Sequence, residues 1–228
     1  MSGTSLDGID VALVDIQSVP NSNDTKISLI ASHSAPLPES IKSQLIHLSF
    51  EQNININVLG ETGIELAQLF ASAINDLLQS QNIDSKNVVA VGSHGITIRH
   101  QPTGSLPYSM QITDSNLLAQ LTGIDVISDF RNMDIAVGGQ GAPLVPAFHQ
   151  ALFNDVKDGC IILNLGGIAN ITVINPQQDV LGYDTGPANT LLDTWCQKHT
   201  GNSYDKNGQW AASGKLLPEL LDIMLTEP

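Results

Sequence analysis

Two glycine turns, one at the start of the chain and one beyond its middle, constrain the fold more than any other feature. The first is Ser2-Gly3-Thr4-Ser5-Leu6-Asp7-Gly8, leading into a strand-like run at 9–16. The second is Gly166-Gly167, between the apolar runs Cys160–Leu165 and Ile168–Ile174. Each reads as a β-hairpin turn, because adjacent glycines, or glycine beside small polar residues, suit a tight connection. Each can equally be an anion nest, since successive N–H groups without a Cβ in the way can approach a phosphate. Two such turns facing across a cleft suit the phosphates of one nucleotide. In the first turn Thr4 and Ser5 add hydroxyl donors. Asp7 suits the water shell of Mg²⁺, an ion that usually keeps several waters. The Walker A lysine pattern is absent, so the chain is not a P-loop protein.

Hydrophobic periodicity fills in the rest. Runs at 9–16 and 27–34, separated by a polar turn at 20–24, predict an antiparallel meander. A helix follows at 39–49. The strongest helix is at 57–81, with Leu66, Leu69, Phe70, Ala73, Ile74, Leu77 and Leu78 on one face. Buried strands are expected at 88–91 and 124–127, with a loop containing Pro102, Gly104 and Pro107 between them. Asp114 is placed to cap a short helix at 114–121. A helix at 187–199 would take Pro187 as its first residue and Gly201 as its C-terminal cap. Leu191, Leu192, Trp195 and His199 would form its buried face. Strands followed by strand–helix alternation imply an α/β protein with a mixed sheet. The Gly- and Pro-rich stretch 137–146 places a domain junction there. Residues 1–135 would carry the first phosphate turn and 136–228 the second.

Charge narrows the partners. The 228 residues hold 9 Lys+Arg against 23 Asp+Glu, a net charge of −14. That balance disfavours nucleic acid and anionic membrane surfaces, both of which call for clustered Lys and Arg. No stretch approaches the apolar length of a membrane span, and Met1 leads straight into the first turn without a signal-peptide pattern. A cytoplasmic protein with a small-molecule partner is expected. An anionic substrate would depend on a few local donors, and Arg99 and Arg131 supply guanidinium groups. Cys160 and Cys196 read as free thiols, with a disulfide or metal pair as the alternative.

The remaining candidates sit at predicted strand ends and at one helix start. Asp184-Thr185-Gly186 precedes the helix at 187–199. A carboxylate there either caps the helix or serves as a general base. Asn189 falls in the first helical turn, within reach of a substrate. Asn164, Asn170 and Thr172 are polar residues in otherwise apolar strands, and a ligand would satisfy them. Gly92-Ser93-His94-Gly95 follows a strand, where α/β proteins commonly place ligands. His94 is catalytic, substrate-binding or a hydrogen-bonded structural histidine. Arg131 suits bidentate binding of a carboxylate or phosphate, or a salt bridge with Asp129. The six histidines show no metal-binding spacing.

Taken together, six motifs in order resemble one family. They are the run from Met1 to Asp10, Gly92–Gly95, Asp129-Phe130-Arg131, the glycine-rich run from Gly138 to His149, the run from Asn164 to Thr172, and Asp184–Asn189. The pattern is similar to that of anhydro-N-acetylmuramic acid kinase. The resemblance implies the two-domain α/β fold of the sugar kinase, Hsp70 and actin group, a ribonuclease H-like architecture with ATP in its cleft. It implies hydrolytic opening and phosphorylation of 1,6-anhydro-N-acetylmuramic acid in cell-wall recycling, and is compatible with a homodimer. By the same resemblance Gly3, Thr4, Ser5, Leu6, Asp7, Gly8, Ile9 and Asp10 bind ATP phosphates with Asn164, Gly166 and Gly167. Asp184 is the general base, and Asp7 reaches Mg²⁺ through water. His94, Arg131, Thr185, Gly186 and Asn189 bind the sugar, with Arg131 on its lactyl carboxylate. Ile96 stands where the family usually has glutamine. The resemblance also implies an incomplete second domain, without the adenosine-binding loops. Another sugar kinase on this fold, or a non-catalytic nucleotide- or sugar-binding fragment, is the alternative.

Overall fold

The structure is a computed structural model that describes residues 8–18, 25–153 and 156–226. Gly3, Thr4, Ser5, Leu6 and Asp7 lie outside the described residues, as does the predicted turn at 20–24.

Strands β1 (Gly8–Ser18) and β2 (Thr25–Pro36) pair antiparallel, with Gly8 opposite Pro36 and a bulge at Leu13/Val14. Pro38 immediately precedes α1 (Glu39–Phe50), whose Leu45 and Leu48 are fully buried. Helix α2 (Ile56–Ser80) begins where the Asn55 side chain accepts from Asn57 N–H. Its buried face carries Leu66, Phe70, Ala73, Ile74, Leu77 and Leu78, the helical stripe expected from the sequence.

Strand β3 (Val91–Gly92) pairs parallel with β6 (Val126–Ile127), each only two residues long. The expected loop with Pro102, Gly104 and Pro107 is present, and it joins an antiparallel pair that the sequence reading did not anticipate, β4 (Ile96–Gln101) with β5 (Tyr108–Ile112). The alternation of buried Ile96 and Ile98 with Thr97 and Arg99 carries a strand signal that nearby prolines and glycine obscure. Asp114 caps α3 (Ser115–Thr122), accepting from Leu117 N–H at 2.7 Å. Helices α4 (Phe130–Ala136) and α5 (Pro146–Leu152) flank the glycine-rich loop. Both are short, and the sequence reading did not anticipate them.

The later strands β7 (Cys160–Leu165), β8 (Ile168–Ile174) and β9 (Leu181–Pro187) form a sheet in that order. Helix α6 (Asn189–Thr200) follows, and left-handed Gly201 closes it as expected. Its start departs from expectation: Pro187 ends β9, and the first helical residue is Asn189. Asp184 and Thr185 continue β9, Gly186 takes φ +141°, and Pro187 ends the strand, so the fixed φ of proline serves strand rather than helix. Short helices α7 (Gln209–Ser213) and α8 (Pro218–Met224) complete the described chain. Parallel and antiparallel pairing both occur, so the chain is α/β with mixed strand pairing. No helix among the described residues is long and apolar enough to cross a membrane.

Internal contacts divide the chain into two units: Met1–Asn164 with Asn170–Asp184, and Leu165–Ala169 with Thr185–Pro228. The first holds the main core, built on Ile9, Leu45, Leu48, Leu66, Phe70 and Leu118. Burying each such side chain contributes about 1.5–3 kcal/mol. A groove of about 1280 Å³ in this unit is lined by β1 together with Phe70, Ile74, Val88, Val91 and Ser93. In the second unit only Ala169 and Cys196 are buried among the described residues. The expected buried face of α6 is therefore corrected. Leu191, Leu192 and Trp195 are 62%, 68% and 57% exposed, and His199 is exposed as well. Trp195 lies against His199 and His199 stacks on Trp210, yet all stay exposed, so an amphipathic pattern alone did not decide burial.

Candidate functional site

The site in the first unit is built from the end of β3. There Ser93-His94-Gly95 turns into β4. Gly95 has φ +69°, and a Cβ on it would stand 3.0 Å from the Ile112 carbonyl oxygen. Only glycine fits that left-handed, closely covered position. The turn therefore fixes the Gly95 carbonyl, which lies 2.9 Å from His94 Nδ1. A carbonyl can only accept, so Nδ1 carries the ring proton and Nε2 presents a lone pair. Arg131 Nε donates to that Nε2 at 2.8 Å.

Helix α4 delivers Arg131, and the glycine-rich loop holds its other side. Arg131 Nη1 donates to the Gly141 carbonyl. Gly141 N–H in turn donates to Asp134 Oδ2 at 2.7 Å, tying the loop back to α4. Burial lowers the pKa of Arg131, while the negative charge of Asp184 opposes that shift. Burial also lowers His94; its bond to Gly95 works against this, and the Arg131 cation adds to it. His100 is lowered by burial and by Arg131, against the pull of Asp184. An exposed carboxylate, a guanidinium and a neutral imidazole thus share one electrostatic neighbourhood. Asp184 sits in β9 and does not cap α6, the alternative role its position had suggested.

Other candidates are placed elsewhere. Arg99 closes the end of α1: Nη1 donates to the Leu48 and Ser49 carbonyls at 2.6 Å, and Nη2 donates to that of Glu51. Its charge is spent on a helix C-terminus, so only Arg131 stays at the site. Asp129 pairs with Asn132 Nδ2 at 2.7 Å. Thr172, read as awaiting a ligand, is hydrogen-bonded to His149 Nδ1 at 2.8 Å, and Asn164 is exposed. Of the first turn, Gly8, Ile9 and Asp10 are described. Ile9 is a core side chain, and Asp10 accepts from Ser34 Oγ at 2.6 Å. Cys160 and Cys196 are free thiols.

The second unit carries the other turn. The Gly167 carbonyl accepts from Ala188 N–H at 2.9 Å, and the Gly166 carbonyl from Asn189 N–H at 2.9 Å. Asn189 Nδ2 adds a bond to the Leu165 carbonyl at 2.9 Å. Thr185 Oγ1 donates to the Ala169 carbonyl at 3.2 Å. The start of α6 therefore grips the carbonyl side of the turn. The Gly166 and Gly167 N–H groups have no backbone acceptor among the described residues. Sequence reasoning placed a capping or basic carboxylate before α6, but the N–H groups at that helix start are already used by the turn carbonyls. It also assigned no role to Gly141 and Asp134, although the glycine-rich run containing Gly141 was a visible signal.

The fold and this cluster define an α/β protein that gathers polar side chains near strand ends, where such proteins commonly bind ligands. A family model described as anhydro-N-acetylmuramic acid kinase matches residues 1–228, and the chain belongs to that family. It is 46% identical over 228 residues to the anhydro-N-acetylmuramic acid kinase of Vibrio parahaemolyticus serotype O3:K6, covering all of this chain and 60% of that one. It is 46% identical over 226 residues to the enzyme of that name from Aliivibrio fischeri, covering 99% of this chain and 60% of the relative. The Vibrio vulnificus YJ016 protein is 45% identical over 228 residues, with 100% and 60% covered. The chain thus spans about 60% of the length of these curated relatives.

Proposed function

We propose that the protein is an ATP-dependent kinase that opens 1,6-anhydro-N-acetylmuramic acid with water and phosphorylates it. Products are N-acetylmuramic acid 6-phosphate and ADP, placing the reaction in cytoplasmic peptidoglycan recycling on the sugar kinase and actin-like fold. On this reading residues 1–135 form the domain of the first phosphate turn. Residues 136–228 begin a second domain that the remaining length of the protein completes.

Asp184 takes a proton from water, whose oxygen attacks the anomeric carbon of the sugar. The bond from that carbon to O6 breaks, and O6 takes the γ-phosphoryl group of ATP. An exposed carboxylate in an extended strand is open to water, which suits a base. Arg131 binds the lactyl carboxylate and orients the ring, while Thr185, Gly186 and Asn189 line the sugar. The Gly166 and Gly167 N–H groups face phosphate oxygens, their carbonyl side being already anchored. Mg²⁺ would neutralise phosphate charge. The described residues contain no cluster of three or more His, Cys, Asp or Glu that could hold it, and Asp7 lies outside them.

The observation that supports this reading is the negative charge of Asp184 acting on Arg131, where it raises a pKa that burial lowers. A candidate base and a candidate carboxylate receptor thus lie within electrostatic reach of one another. The experiment is Asp184→Asn in the full-length protein, assayed for ADP release and sugar 6-phosphate. Turnover should fall about 10²–10⁴-fold with sugar affinity largely kept. Full activity in the variant would remove Asp184 from the chemistry.

A further inference from the structure

The geometry points to His94 as a positioning residue that acts on the sugar through Arg131. Its neutral ring fixes the guanidinium so that Nη2 meets the substrate carboxylate. This assignment rests on the proposed kinase reading and goes beyond it.

Both ring nitrogens of His94 are committed. Nδ1–H is spent on Gly95 O at 2.9 Å, and Nε2 accepts from Arg131 Nε at 2.8 Å. A histidine bonded in this way has no ring nitrogen left for a sugar hydroxyl and none to take a proton. Its effect on the substrate must pass through its partner. That partner is an arginine with five N–H donors in a fixed plane. His94 holds Nε–H, and Gly141 O holds Nη1. Two anchors on different nitrogens stop rotation about the end of the side chain. Nη2 is left without a protein acceptor among the described residues, and the Asp184 charge acts on the guanidinium as a whole.

The supports of the imidazole are rigid. Gly95 is pressed beneath Ile112, whose register partner across the β4–β5 pair is Ile96. No Cβ can enter there without moving backbone. Ring orientation is thus set by a backbone carbonyl, the arrangement that selects a tautomer most strictly. On the far side, Asp134 holds Gly141, so both anchors of the guanidinium are themselves held. Burial and the adjacent Arg131 cation keep the imidazole uncharged, which an acceptor at Nε2 requires.

The test compares His94→Ala, His94→Gln and Arg131→Ala in the full-length protein, with the anhydro-sugar and with an analogue lacking the lactyl carboxylate. Glutamine places Oε1 near the position of Nε2 and can accept from Arg131. His94→Ala should raise KM for the carboxylate sugar about tenfold, with a smaller change in kcat, and should cost little with the analogue. His94→Gln should regain most of the affinity. His94→Ala added to Arg131→Ala should cost nothing further. Equal damage in the Gln and Ala variants, or full additivity with Arg131→Ala, overturns the assignment. A second readout is independent of turnover: the ¹⁵N shifts of the His94 ring in the 228-residue chain. They should show a protonated Nδ1 and a bare Nε2 near neutral pH. A proton on Nε2 overturns the positioning role. Loss of all kinase activity in the wild type, with that tautomer present, overturns the reaction and leaves the geometry standing.

Discussion

Gly95→Ala tests the foundation of the site, and the structure supplies its own control. Gly95 and Gly123 both have φ +69°. An alanine at either position bears the left-handed backbone cost, about 1–2 kcal/mol. They differ in surroundings. At Gly95 the new Cβ meets Ile112 O at 3.0 Å, Ile112 C at 3.2 Å and Gln111 Cβ at 3.3 Å. At Gly123 its nearest neighbour is Ser85 Oγ at 3.7 Å, ordinary contact distance. Crowding against backbone in a packed region adds about 1–3 kcal/mol. Gly95→Ala should therefore cost about 2–5 kcal/mol and Gly123→Ala only about 1–2 kcal/mol. Urea unfolding of the 228-residue chain followed by far-UV circular dichroism measures both, because α1 and α2 supply much of the helix of the first unit. Gly95→Ala should also loosen Arg131, weakening sugar binding in the full-length protein, whereas Gly123→Ala should not. Equal costs at the two positions would refute the argument that Ile112 locks the turn.

The two arginines at predicted strand ends should separate cleanly. Arg99→Ala should destabilise by about 2–3 kcal/mol through lost charged hydrogen bonds to the α1 carbonyls, leaving sugar affinity unchanged. Arg131→Ala should weaken sugar binding as well as stability, because His94 and Gly141 lose their guanidinium partner, as paired thermal melts and binding titrations would reveal. The folded-state pKa of His94 lies below its ordinary 6.5. Its contribution is thus complete above pH 6.5 and is lost as pH falls toward the folded value, because the unfolded chain then binds the extra proton. His94→Gln should flatten that acid limb of stability relative to wild type, a difference that unfolding curves across pH will measure. Ser93 Oγ is buried with no partner among the described residues, so Ser93→Ala should be neutral or slightly stabilising by equilibrium denaturation. Leu66→Ala, at a fully buried position, should cost about 2–5 kcal/mol by the same measurement.

What the sequence made legible follows from how local each signal is. The α2 stripe, the Asp114 cap and the Gly201 stop are each fixed by a few neighbouring residues, and each is present. Helices α4 and α5 are too short to build a periodic signal. The β4–β5 pair hid beside turn residues. At the site, Arg131 was recognisable by its chemistry and Asp184 through motif resemblance. Their relation was not, because it depends on which strand ends tertiary packing brings together. Arg99 shows the limit from the other side. In sequence it matched Arg131, and only the nearby end of α1 distinguishes a guanidinium that closes a helix from one held by His94.

The sparse packing of the second unit has a spectroscopic consequence. The chain has two tryptophans, Trp195 and Trp210, and both lie in that unit. Trp195 lies against His199, tilted, with ring centroids 4.2 Å apart, and remains 57% exposed. Intrinsic tryptophan emission thus reports the second unit alone, and the helix-rich first unit is silent in that channel. A red-shifted emission that melts before the circular dichroism signal would separate the two unfolding events in one sample, without a label.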